Sequence, residues 1–171
     1  SNGGRVISKL ADLKPNMIEK LVYVSASSFN SHENNVNKSV SKEEVNAFIK
    51  NRYPTISSGQ LSDFKYPENY PFWDDKYEEL LKFKGFARAL ISTVKNHKNL
   101  DLENKEISDS NKKVYTIWGD SDSVVIFNNI KGKLNKLLPN RFEYTVPNSG
   151  HLPHIENQSD FEKYLFEVVL K

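Results

Sequence analysis

Two short loops hold the residues best suited to chemistry. Gly119-Asp120-Ser121-Asp122 offers two carboxylates, and Pro147-Asn148-Ser149-Gly150-His151 ends in an imidazole. A carboxylate beside a histidine holds it in one tautomer and stabilises its charged form. That is what a general base for a serine needs. Asp120 competes with Asp122 for the role of acid, and Gly-Asp-Ser-Asp is also ordinary turn chemistry. His151 and His154 form a His-x-x-His pair, but no third ligand stands at metal-binding spacing, so His154 reads as a structural or pocket-rim residue. His32 and His97 fall in polar stretches and read as surface residues.

Such loops work only if something holds them. Val114-Tyr115-Thr116-Ile117-Trp118 leads into the first and is short and continuous enough to be a strand buried on both faces. Phe142, Tyr144 and Val146 lead into the second and alternate with Glu143 and Thr145, which predicts a strand with one wetter face. Between them, Phe127, Ile130, Leu134, Leu137 and Leu138 form a helical apolar face that ends at Pro139. Upstream, the spacing of Val6, Leu10, Leu13 and Met17 predicts a helix over 5–14 with those residues as its apolar face. Pro15 ends it, and Leu21-Val22-Tyr23-Val24 follows as another strand buried on both faces. Downstream, Ser159 and Glu162 have capping-box spacing. Phe161, Tyr164, Leu165, Val168 and Val169 then face a core. Alternating strands and helices predict a parallel α/β sheet, in which functional residues gather at the C-terminal ends of strands.

The middle of the chain is different. Ser41 and Glu44 predict a capped short helix with Val45, Phe48 and Ile49 on one face. Residues 53 to 73 interleave Pro54, Pro67 and Pro71 with six aromatics, an irregular stretch that suits either a lid or a small satellite core. A helical pattern resumes at Asp74, breaks at Gly85 and continues through Val94. Residues 96 to 112 are polar and read as a connecting loop. Lys131 to Lys136 read as a solvated helix surface.

Composition removes several classes of function. Lys and Arg (24) nearly balance Asp and Glu (22) and are interspersed, so no basic stripe points to nucleic acid. The absence of cysteine excludes disulfides, thiolate nucleophiles and cysteine metal sites, and it fits a reducing, cytoplasmic setting. No apolar run approaches the roughly 20 residues of a membrane span.

Trp118-Gly119-x-x-Asp122 and Gly150-His151-x-x-x-x-Glu156 resemble the acid and histidine loops of the α/β-hydrolase superfamily. Ser1-Asn2-Gly3-Gly4 is similar to the second half of that family's nucleophile elbow, and the expected helix follows it. The serine, acid and histidine stand in the family's order. The 121 positions from Ser1 to Asp122 leave room for a strand and an inserted cap, and the 29 from Asp122 to His151 hold one helix and one strand. The resemblance implies the C-terminal part of an α/β-hydrolase, with a parallel sheet, flanking helices and an inserted helical cap or lid. It divides the chain into an elbow helix and core strand (1–27), the cap or lid region (28–96), and a C-terminal core with both loops (97–171). It implies an esterase- or lipase-like serine hydrolase of a small-molecule or acyl ester, with Ser1 as nucleophile, His151 as base, Asp122 as acid and the Asn2 backbone N–H in the oxyanion hole. No cofactor is implied. A missing N-terminal segment or a partner chain is expected to complete the sheet. The alternative is a non-catalytic fragment or degenerate hydrolase serving as a binding module.

Overall fold

A computed structural model describes residues 1–30 and 38–171; His32 lies outside them. The chain divides into two compact units. One comprises Ser1–Ser31, Asp63–Lys65 and Leu100–Lys171, and the other His32–Ser62 and Tyr66–Asn99.

The first unit is built on three parallel strands in the order β1 (Lys20–Val24), β2 (Lys113–Gly119) and β3 (Phe142–Val146). β2 is central and buried from Val114 to Gly119, as its unbroken apolar run requires. The register places Leu21 beside Val114 and Tyr23 beside Thr116. That face joins Trp118 in a core closed by helices α1 (Gly3–Leu13), α5 (Asp101–Asp109) and α6 (Phe127–Leu137), through Ala11, Ile107, Ile130 and Leu134. The Trp118 ring lies 5.4 Å from that of Phe127. The other face carries helix α8 (Gln158–Tyr164), whose Tyr164 stacks on Tyr144 of β3 at 4.2 Å. The fold is therefore α/β, with a parallel sheet flanked by helices on both sides.

Several local expectations are corrected. In α1 the buried residues are Gly4, Ser8 and Ala11, while Val6 is 65% exposed and Leu10, Leu13 and Met17 are exposed as well. Small side chains let this helix settle close to the sheet, and the larger apolar residues point away. β1 is buried at Leu21 and Tyr23 but only half-buried at Val22 and Val24. Residues 101–109 form α5 rather than a loop. It buries Asn104, whose Oδ1 accepts a hydrogen bond from Ser8 Oγ at 2.9 Å. Ser159 and Glu162 form no capping box, because Asn157 caps α8 by accepting from the Asp160 N–H. Val168 is exposed and Val169 is fully buried. Lys133 pairs with Asp101 at 2.7 Å instead of standing free in solvent.

In the second unit, Ser41 and Glu44 form the capping box of helix α2 (Lys42–Ile56). The helix is longer than its sequence suggests, running through Tyr53 and Pro54, and Ile49 is exposed. Gly85, at φ +90°, separates helix α3 (Trp73–Leu81) from helix α4 (Phe86–Lys95). His97 is half-buried rather than a plain surface residue. Among the described residues no helix is long and apolar enough to cross a membrane.

Candidate active site

The C-terminal ends of β1, β2 and β3 lie side by side, so the loops that leave them meet. Backbone bonds extend the pairing past the strands: the Asp120 N–H donates to Val146 O at 3.1 Å, and the Ser121 N–H to Ser149 O at 2.9 Å. Two glycines permit this approach. A Cβ on Gly119 would stand 1.9 Å from the Gly150 carbonyl oxygen, and one on Gly150 would stand 2.5 Å from the Asp63 carbonyl oxygen. No side chain fits at either place.

The two carboxylates of the first loop take separate tasks. Asp120 accepts from the backbone N–H groups of Asn148 (2.9 Å) and Ser149 (3.2 Å), and so holds the turn that carries the histidine. Asn148 adopts a left-handed conformation there, at φ 54°. Asp122 faces the imidazole instead, with its Oδ2 2.9 Å from His151 Nδ1. Its other oxygen accepts from the Val124 and Val125 N–H groups at 2.9 and 2.8 Å. Both side chains are buried, His151 at 6% exposure and Asp122 at 1%. With Nδ1 directed at a carboxylate, Nε2 is left for a reacting group.

A third strand of chain completes the frame. The His151 N–H donates to Asp63 O at 2.7 Å. Glu156, at the end of the short helix α7 (Pro153–Glu156), accepts from the N–H of Gly150 and from that of Lys65, the latter at 2.7 Å. One carboxylate thus binds residues 63–65 to the histidine loop.

Ser1 and His151 line one pocket of about 470 Å3 together with Val24, Asp63, Leu152, His154 and Phe161. Small-molecule sites span roughly 300–1,000 Å3. Ser1 precedes α1, and its carbonyl accepts from the Gly4 and Ser27 N–H groups, each at 3.2 Å. Its hydroxyl makes no hydrogen bond to His151 among the described residues. Asn2 holds the N-cap position of α1 without a side-chain cap bond. His154 meets the Phe161 ring at 5.8 Å, and burial pushes its pKa below the ordinary histidine value. Burial pushes the Asp63 carboxyl up. Among the described residues no group of three ligating side chains could hold a metal.

Sequence reasoning missed Asp63, Val24, Leu152 and Phe161 as pocket residues. It quoted Glu156 in a motif without giving it a task. Only Glu156 carried a signal, its fixed distance from His151; Asp63 stood among aromatics with none.

Three solved or curated proteins define the likeness. The hydrolase from Rhodococcus sp. strain RHA1 that is named for 2-hydroxy-6-oxo-6-phenylhexa-2,4-dienoate superposes with a TM-score of 0.73 at 17% identity, over 99% of this chain and 61% of its own. A thermophilic esterase from Thermogutta terrifontis superposes with a TM-score of 0.69 at 15% identity, over 99% and 62%. The chain has the α/β-hydrolase fold. The uncharacterized hydrolase YugF of Bacillus subtilis (strain 168) is 27% identical over 185 aligned positions, which cover 99% of this chain and 63% of that protein. The chain therefore spans under two thirds of the length of the proteins it resembles. No family model matches it.

Proposed function

We propose that the chain carries the catalytic groups of a serine hydrolase acting on a carboxylic ester. Ser1 Oγ attacks the carbonyl while His151 Nε2 takes its proton. Asp122 holds the Nδ1–H and stabilises the imidazolium. The proton passes to the leaving alcohol, and an acyl-serine remains. Water, activated by the same imidazole, then releases the acid and restores Ser1. The Asn2 N–H, at the positive end of α1, donates to the oxyanion. Removing one such donor typically costs about 2.7–4 kcal/mol.

The observation that carries this reading is the buried 2.9 Å Asp122–His151 pair opening on the pocket that Ser1 lines. Val24, Leu152 and Phe161 give that pocket an apolar wall suited to an acyl or aryl group. YugF is named as a hydrolase and the Thermogutta protein as an esterase, which agrees in direction. We also propose that a further segment or partner chain continues the sheet at the outer edge of β1. The half-buried Val22 and Val24 and the exposed apolar residues of α1 support that reading.

A fluorophosphonate probe tests the nucleophile. It is expected to label Ser1, with labelling lost in Ser1→Ala and slowed in His151→Ala. A folded protein that stays unlabelled overturns the proposal.

A further inference from the structure

The pocket contains a carboxylate to which the proposed hydrolysis assigns no step. Of its ionisable lining residues, His151 is engaged by Asp122, and His154 is held toward its neutral form by burial. Among the described residues neither lysine nor arginine lines it. Asp63 remains. Its backbone is fixed, since its carbonyl accepts from the His151 N–H at 2.7 Å and Phe64 beside it is buried. Lys65, two residues on, is tied to Glu156. The Asp63 carboxylate is half-buried, and among the described residues no donor hydrogen-bonds to it and no cation stands at ion-pair distance; the His151 ring and the Ser1 α-amino group act on it only through space. A carboxylate held rigidly in a partly desolvated pocket without a directly bonded partner is a preorganised receptor for positive charge. Its field also disfavours an anionic substrate, and it repels the carboxylate product that hydrolysis would leave.

We propose that Asp63 determines specificity at this site and that the substrate is an ester bearing a cationic group, a protonated or quaternary amine. The inference rests on the serine-esterase reading for its reaction but not for its binding. The Phe161 ring lines the same pocket, and aromatic rings favour alkylammonium groups.

The test uses a matched pair: a choline ester and its uncharged 3,3-dimethylbutyl isostere, compared by kcat/KM in the full chain and in Asp63→Asn. The choline ester is expected to be preferred at least about tenfold, or about 1.4 kcal/mol. That ratio should collapse toward one in Asp63→Asn and persist in Asp63→Glu. An equal ratio in all three proteins, or a preference for the neutral ester, overturns the proposal. Phenyltrimethylammonium and tert-butylbenzene supply a readout without turnover, through the His151 imidazole 15N shifts on titration. If Ser1 resists the phosphonate and neither ester is cleaved, the esterase reading falls. The cation subsite then stands if Asp63→Asn weakens phenyltrimethylammonium binding at least about tenfold, and falls if binding is absent or unchanged. If Ser1 is labelled and the esters are cleaved without charge preference, the esterase reading stands and the Asp63 proposal falls.

Discussion

The two sides of the pocket are held in different ways. On the histidine side, the loops after β2 and β3 and residues 63–65 are joined by a dense set of bonds: Asp120 to two backbone N–H groups, Glu156 to two more, and Asp122 to two and to His151. On the serine side, Ser1 is held by its carbonyl, and Asn2 makes no capping bond. His151 and Asp122, the proposed base and acid, are positioned by short-range contacts written in two loops. The position of Ser1, the proposed nucleophile, depends on a helix and on whatever else approaches it. A histidine with its tautomer already set can serve any hydroxyl delivered to Nε2. In the proposed reaction the geometry of attack is therefore decided on the less tightly held side.

The largest effect expected comes from the pair itself. Asp122→Asn keeps the shape but offers an amide where the imidazole needs a carboxylate, so the wrong tautomer is favoured. Ester hydrolysis should fall by about 10⁴ in kcat, the loss typical of such a change. A loss below tenfold would show that Asp122 is not the acid of the reaction.

Next comes Glu156→Ala, which leaves the Gly150 and Lys65 N–H groups without their shared acceptor. Hydrogen bonds to charged groups contribute about 1.5–3 kcal/mol. A destabilisation of about 2–3 kcal/mol is expected in urea titrations, together with faster amide exchange at His151. Removal of a carboxylate at an ordinary surface position would shift stability by less than about 0.5 kcal/mol. A change that small at Glu156 would mean that the histidine side is not clamped as its geometry suggests.

This contrast also explains what could be read in the sequence. β2, β3 and α6 announce themselves by period and length, and the loops between them follow from turn residues and glycines. The α/β fold was legible on those grounds. The α1 face was not, because periodicity counts apolar residues and cannot tell that Gly4, Ser8 and Ala11 are the ones the sheet needs close. α5 was missed because its burial depends on Asn104 finding Ser8 a full 96 positions away. A hydrophobic pattern cannot encode that pairing. Asn157, two residues before Ser159, caps α8 in its place. Asp63 becomes a pocket residue only through the His151 N–H that its carbonyl receives, a long-range contact with no local mark.

Asp63 and Glu156 make the smallest but sharpest comparison, as two carboxylates on the same frame, one bonded and one not. Burial raises the Asp63 carboxyl above its usual value of 3.8. The folded state therefore holds a proton more tightly than the unfolded chain. As pH rises from about 3.8 through the raised folded value, the unfolded state releases its proton first, and folding loses stability over that window. Above the window the ionised carboxylate destabilises the folded state by a constant amount. Asp63→Asn removes that burden, so it should stabilise the protein at pH 7, and the gain should vanish below about pH 3.8. Paired urea titrations across pH 3–8 read the difference directly. A loss of stability at pH 7 would mean that the Asp63 carboxylate has found a favourable partner. The open charge in the pocket would then be gone, and with it the physical reason for a cationic substrate. A gain would show that the ionised Asp63 carboxylate is a net burden on the fold, the same open charge that the cationic-substrate proposal invokes.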